Sequence, residues 1–298
     1  MKNILIIGCG LIGSSLLRVI HKKKLAKKIF IYEKSKSNLA KIKRLRLPGT
    51  IVKTLKEGVI NSDLIFFCTP MSEYKKIILK INNFILPNTI ITDIGSSKTE
   101  SSKVIKKFLK KGLHWIPSHP IAGSEVSGPE YGKENMFMNR WCILVKDKNT
   151  KKNYLDILIK FWKKIGSKVI VMTSDKHDKI FSITSHLPHL IAYNLVKSAQ
   201  DFEKKQKFGL IKFSAGGLRD FSRIAASNEI MWRDIFFDNK NNISKAIDIF
   251  IKNLHAFKKD INSKNNKSIL KKLIQTKKVR SKIIQLKQDI DKPDFGRN

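Results

Sequence analysis

The sequence predicts an α/β protein: a parallel sheet wound with helices in residues 1–173, then an all-α domain in residues 174–298. Three observations carry that reading. Short apolar runs alternate with amphipathic stretches as far as residue 173, as in strands covered by helices on both faces. Beyond Thr173 the apolar spacing becomes helical, at Ile180, Ile183, Leu187, Leu190 and Ile191 and again at Ile247, Phe250, Ile251 and Leu254. The string Gly8-Cys9-Gly10-Leu11-Ile12-Gly13 joins the first apolar run to the first amphipathic stretch.

Taken in order, strands are expected at 3–7, 29–32, 64–68, 90–93, 115–117, 141–146 and 168–172. Helices between them include 12–22, 73–81 and 101–110. In the second domain, Pro188 removes the backbone donor that would reach Thr184 and predicts a kink. Ser227 precedes Glu229 and an apolar helix and is the expected N-cap. The last helix is expected over 267–288, Lys-rich outside and Ile/Leu-rich inside, with a polar tail after it.

The glycine string is a dinucleotide fingerprint in the right setting, which makes the first domain Rossmann-type. Its first Gly allows the tight turn, its second lets the backbone approach a pyrophosphate, and its third lets the helix pack on the strand. Glu33 closes the second strand 20 residues beyond Gly13, where an acid would bond a ribose 2′-hydroxyl. That favours NAD. Lys34 and Lys36 beside it would suit NADP, so the motif leaves the second cofactor open. Cys68-Thr69-Pro70 ends a strand at the edge where the cofactor crevice lies. The candidate cofactor residues are Gly8, Gly10, Leu11, Ile12, Gly13, Glu33, Thr69 and Pro70.

Composition bounds the rest. A hydrophobic fraction of 42% over 298 residues suits a globular chain of two domains. Three scattered cysteines form no C-x-x-C pair, so neither a disulfide framework nor structural zinc is expected. The formal charge of +36 raises nucleic-acid binding, but only nine of the 60 basic residues are Arg and the Lys are spread along the whole chain. A composition bias on a solvated surface accounts for it, and neither nucleic acid nor a membrane is an expected partner. The charge should still draw an anionic substrate inward. The N-terminus makes a poor signal sequence and no run of 18 apolar residues occurs, so the cytoplasm is the expected location.

Polar groups in apolar surroundings mark the candidate site. Ser118-His119-Pro120-Ile121-Ala122-Gly123-Ser124-Glu125 reads as a His held in a His-Pro turn. Asp93-Ile94-Gly95-Ser96-Ser97-Lys98 brings Ser96 to the nicotinamide end, with Lys98 open to being merely solvated. His177-Asp178, Ser185-His186-Leu187-Pro188-His189 and Arg219-Asp220-Phe221-Ser222-Arg223 follow on helices. No H-E-x-x-H or comparable spacing supports a metal.

The segments 8–15, 93–98, 119–128, 177–189 and 216–233 resemble the motifs of the prephenate/arogenate dehydrogenases, over residues 1 to about 239. The resemblance implies oxidative decarboxylation in tyrosine biosynthesis: hydride leaves ring C4 for the nicotinamide, the C4 hydroxyl gives up its proton and the ring carboxylate leaves as carbon dioxide. It implies His119 as the catalytic His, with Ser96 orienting the same hydroxyl. Arg223 becomes the anchor for a dianion, with His189 and His177 lining or supporting the pocket. Ser124 and Glu125 follow the catalytic His, Glu125 as a gate or the partner of a base. Trp232 fits a pocket wall or the core. A homodimer through the helical domain is also implied. Prephenate is the expected substrate and arogenate the alternative. A hydroxyacid-type or pyrroline-carboxylate oxidoreductase would leave the His-Leu-Pro-His and Asp-Phe-Ser-Arg segments without a role.

Overall fold

A computed structural model describes residues 3–206, 209–286 and 288. The tail expected from residue 289 on lies outside them.

Strands β1 (Asn3–Ile7), β2 (Lys28–Tyr32), β3 (Thr50–Ile51), β4 (Leu64–Phe67), β5 (Ile90–Asp93) and β6 (His114–Trp115) form one parallel sheet in the order β3-β2-β1-β4-β5-β6. The helices α1 (Leu11–Lys22), α2 (Lys36–Arg44), α3 (Leu55–Ile60), α4 (Tyr74–Ile81) and α5 (Thr99–Phe108) make its crossovers. Because strand side chains alternate, Ile4, Ile6, Leu64 and Phe66 enter one core while Leu5, Ile7, Ile65 and Phe67 enter the other. Burial on both faces is why these strands read as continuous apolar runs. The strand order reverses between β1 and β4, which opens a crevice at their carboxyl ends.

The later strands do not join that sheet. Strands β7 (Ser118–Pro120), β8 (Trp141–Val145) and β9 (Lys168–Met172) form a second one, β7 antiparallel to β8 and β8 parallel to β9. The reason is local: β6 is only two residues long, and Ile116-Pro117 turns the chain out of the main sheet. His119 therefore lies on an edge strand opposite Ile143 rather than in a turn. Pro120 is tolerated there because an edge strand can spare a donor. Helix α6 (Lys152–Lys164) carries the chain from β8 to β9.

Thr173 caps the next helix, α7 (Ser174–Phe181), by accepting from the amide of Lys176. A π-turn over Ser182–His186 then leads into α8 (Leu187–Gln206), so Pro188 produces the expected irregularity as a widened turn. Helices α9 (Gly216–Ile224), α10 (Glu229–Asp238), α11 (Lys240–Asn262) and α12 (Asn266–Gln285) complete the second domain. Asn228, not Ser227, caps α10, its side chain accepting from Met231 at 2.9 Å; the Ser227 hydroxyl instead donates to the carbonyl of Ile224. Trp232 and Ile235 of α10 enter the second core of the sheet domain, so the two domains share a core. None of the described helices is long and apolar enough to cross a membrane.

Candidate active site

The crevice has the shape of a dinucleotide site. Gly8 is at φ +91°, and a Cβ there would meet the Cys68 carbonyl at 2.7 Å. A Cβ on Gly13 would lie 2.1 Å from the Gly8 carbonyl oxygen, so only glycine lets α1 start this close to β1. A Cβ on Gly10 would meet nothing within 4 Å, which leaves room over the turn. No side chain caps α1, so its first-turn amides at Leu11 and Ile12 are left for an anion. Glu33 follows the end of β2 and accepts from the amides of Cys9 and Ser35, each at 2.8 Å. Thr69 and Pro70 follow β4, Thr69 lying against Gly8, and the buried Thr69 hydroxyl has no protein partner. These residues fit NAD: open space over Gly10, a first helical turn without a side-chain cap, and an acid at the end of β2 where a ribose would lie.

A buried relay begins beside this crevice. His119 Nδ1 is 2.8 Å from His177 Nε2, and His177 Nδ1 is 2.8 Å from Asp178 Oδ1. An ionised carboxylate only accepts, so His177 donates through Nδ1 and its Nε2 accepts from His119. His119 is thereby fixed with its proton on Nδ1 and a lone pair on Nε2. Burial, with the nearby His177 and Lys98, pushes its pKa well below the ordinary value of 6.5 and keeps it neutral. His177 is also pushed down by burial, against the pull of Asp178. Burial would raise Asp178, but hydrogen bonds from His177 and Thr99 outweigh it and hold the carboxyl below 3.8. Asp178 also accepts from the amides of Lys98 at 2.9 Å and Thr99 at 2.8 Å, capping α5 from the other domain.

Beneath the relay lies an ion pair. Lys98 Nζ is 2.7 Å from Asp93 Oδ2, and neither side chain is exposed. Asp93 also takes the Tyr74 hydroxyl and the Gly95 amide, both at 2.9 Å, and the Ser118 amide at 3.2 Å. One carboxylate thus ties the loop that carries Ser96 to the strand that carries His119. Lys98 is no solvated surface lysine.

At the outer end, Arg223 of α9 reaches Glu125 at 3.6 Å, both partly exposed. His189 stacks on Trp232 at 3.8 Å, and Trp232 is a core residue whose buried indole N–H has no partner. Ser124 is exposed on the loop after β7, whose Gly123 lies over Leu11 and Ile12 of the fingerprint. Ser96 is half-buried on the loop between β5 and α5.

Comparison with known proteins gives this site a family. The family model for the nucleotide-binding domain of prephenate dehydrogenase matches residues 16–171, and that for its dimerization domain matches residues 173–276. The chain belongs to the prephenate dehydrogenase family. It is 31% identical to a cyclohexadienyl dehydrogenase of Zymomonas mobilis over 97% of this chain and 98% of that one. A prephenate dehydrogenase of Bacillus subtilis is 31% identical over 85% of this chain and 69% of its own length. Among solved structures, prephenate dehydrogenase of Aquifex aeolicus in complex with hydroxyphenyl propionate and NAD+ superposes with a TM-score of 0.88. It shares 31% identity and covers 95% of this chain and 98% of that one.

In this prephenate dehydrogenase-family chain the fold brings His119 to His177 and Arg223 to Glu125. The sequence sets Asp178 and His186 among the candidate polar groups without giving either a role, leaves Lys98 undecided, and does not mark Asn239 at all. Asp178 had one available signal, an acid directly after a candidate His. Nothing local marks Asn239.

Proposed function

We propose that the chain oxidises and decarboxylates prephenate to 4-hydroxyphenylpyruvate, with NAD as hydride acceptor. The observation that carries this is the buried His119–His177–Asp178 relay beside a dinucleotide crevice. Bound NAD supplies the acceptor for the C4 hydride. His119 Nε2 takes the proton of the C4 hydroxyl as the hydride leaves, turning C4–OH into a carbonyl. The positive charge gained by His119 is shared through His177 with Asp178, as in other Asp–His pairs. The ring carboxylate then leaves as carbon dioxide and its bonding pair enters the ring. The phenolic oxygen recovers the proton from His119, so the cycle releases no net proton.

Ser96 donates to the C4 oxygen and orients it. Arg223 holds a carboxylate of the dianion by a charge-assisted fork, and Glu125 occupies that fork until substrate arrives. His189 and Trp232 wall the side-chain end, and Ser124 lies at the mouth. Leu11 and Ile12 amides with Gly8, Gly10 and Gly13 hold the pyrophosphate; Thr69 and Pro70 flank it. Glu33 favours NAD because its carboxylate would repel a 2′-phosphate.

The domain boundary falls at residue 173, between β9 and α7. We infer a homodimer through the helical domain, supported by its large exposed apolar side chains, among them Phe237 at 68% and Ile261 at 63% exposure. A cytoplasmic enzyme fits this chemistry. Reduced-nicotinamide formation with prephenate or arogenate and NAD or NADP tests the proposal. Turnover with prephenate and NAD is expected; activity with neither substrate would overturn it.

A further inference from the structure

Asn239 occupies the junction between α10 and α11, and it is buried. Its Nδ2 lies 2.8 Å from the carbonyl oxygen of Asp178 and 3.1 Å from Nδ1 of His186. Its Oδ1 accepts from Asn242 Nδ2 at 2.8 Å. A carbonyl only accepts, so the atom facing Asp178 must be the amide NH2, whichever way an amide is drawn. The second hydrogen of that NH2 then points at His186, and Nδ1 must accept it. Neutral His186 consequently carries its proton on Nε2.

His186 is fully buried, and burial, reinforced by His177, pushes its pKa down to about 4. Its buried Nε2 makes no formed hydrogen bond, and the Ser96 backbone is among the polar groups near enough to act on the ring. A buried, obligate donor thus sits near the loop that carries Ser96. Its tautomer is set by a buried amide at the junction of α10 and α11.

We propose that Asn239 is a positioning residue: it fixes His186 as the Nε2–H tautomer and so holds the Ser96 loop for hydride transfer. The same amide anchors the Asp178 backbone, so one side chain braces both arms of the site. The catalytic consequence rests on the prephenate reading above; the tautomer does not.

The test is made on the full chain with 15N-labelled histidine. In the substrate-free wild type, long-range proton–nitrogen correlation should show His186 as the Nε2–H form at neutral pH. An Nδ1–H form or an imidazolium there overturns the proposal, whatever the enzyme turns over. In Asn239→Asp the new carboxylate can only accept, so His186 should switch to the Nδ1–H or imidazolium form. Turnover should fall on the order of tenfold, the effect of one mispaired buried group, with the KM for NAD unchanged. Should Asn239→Asp fail to fold, Asn239→Ala removes the donor without adding charge, and His186 should lose its single tautomer. Either variant keeping both wild-type kcat and a pure Nε2–H signal refutes the assignment.

Discussion

Replacing Asp178 by Asn keeps the shape of the side chain but removes its charge and half of its acceptors. In the wild type the carboxylate takes three donors, the amides of Lys98 and Thr99 and Nδ1 of His177, all within 2.8 to 2.9 Å. An Asn oxygen can serve one side only. If it stays toward Lys98 and His177, its NH2 faces the Thr99 amide donor to donor, and α5 loses half of its cap. If it turns toward Thr99, its NH2 meets His177 and must donate to Nδ1. His177 then carries its proton on Nε2 and donates to His119, whose own proton is displaced to the nitrogen that should accept from substrate.

The first orientation leaves a buried donor unsatisfied, a loss of about 1 to 3 kcal/mol in stability. The second disables the base and should lower kcat by roughly 10²- to 10⁴-fold, or about 3 to 5 kcal/mol in activation free energy. Thermal unfolding and steady-state reduced-nicotinamide formation separate the two. Because the Asp178 pKa is held below its ordinary value, its stabilising contribution is complete above pH 3.8 and lost as pH falls through the folded value. The Asn variant should therefore differ from wild type most at neutral pH and least in strong acid. Wild-type kcat together with unchanged unfolding at neutral pH would refute the relay.

Three further outcomes are expected. His119→Asn should leave NAD affinity, read by fluorescence titration, at its wild-type value while turnover falls by roughly 10²- to 10⁴-fold. Arg223→Ala should raise the KM for prephenate by roughly tenfold or more, the worth of one charge-assisted bond, with a smaller change in kcat. Burial pushes Asp238 up to about 6 against the donating Ser97 hydroxyl, so the folded state holds that proton more tightly than the unfolded one. The resulting penalty is absent below 3.8 and complete above 6. Asp238→Asn should therefore raise Tm near neutral pH, by at most about 3 kcal/mol in stability, and the gain should vanish in acid; a gain independent of pH would count against the cause given.

The main sheet could be read from sequence because its strands are buried on both faces and the apolar runs are unbroken. Strand β3 could not, since Thr50-Ile51 is too short to carry a period. Strand β7 could not either: Ser-His-Pro has no strand pattern, and its conformation comes from pairing with β8 about twenty residues later. The fingerprint was legible because glycine spacing is itself the chemistry. Lys98 was ambiguous for the opposite reason. One lysine among so many looks like surface, and only the fold shows that it is sealed against Asp93. Arg223 could be singled out as a candidate anchor, but its contact with Glu125 depends on how α9 meets the loop after β7.

The relay has a consequence for how the two domains must move. His119 belongs to the first domain, whereas His177 and Asp178 belong to the second and are held by amides of α5 in the first. Ser72 and Ser97 add two more polar contacts to α10, and Trp232 and Ile235 add apolar ones. A hinge opening between the domains would therefore break the relay, uncap α5 and expose a shared core at the same time. Substrate entry is better served at the rim, where Arg223 and Glu125 are partly exposed and joined only at 3.6 Å. Exposed pairs of that kind are worth little, and a dianion that offers Arg223 a bidentate partner can displace Glu125. On the proposed reading, the strong, buried electrostatics hold His119 in one protonation state, while the weak, exposed Arg223–Glu125 pair is the one that substrate displaces.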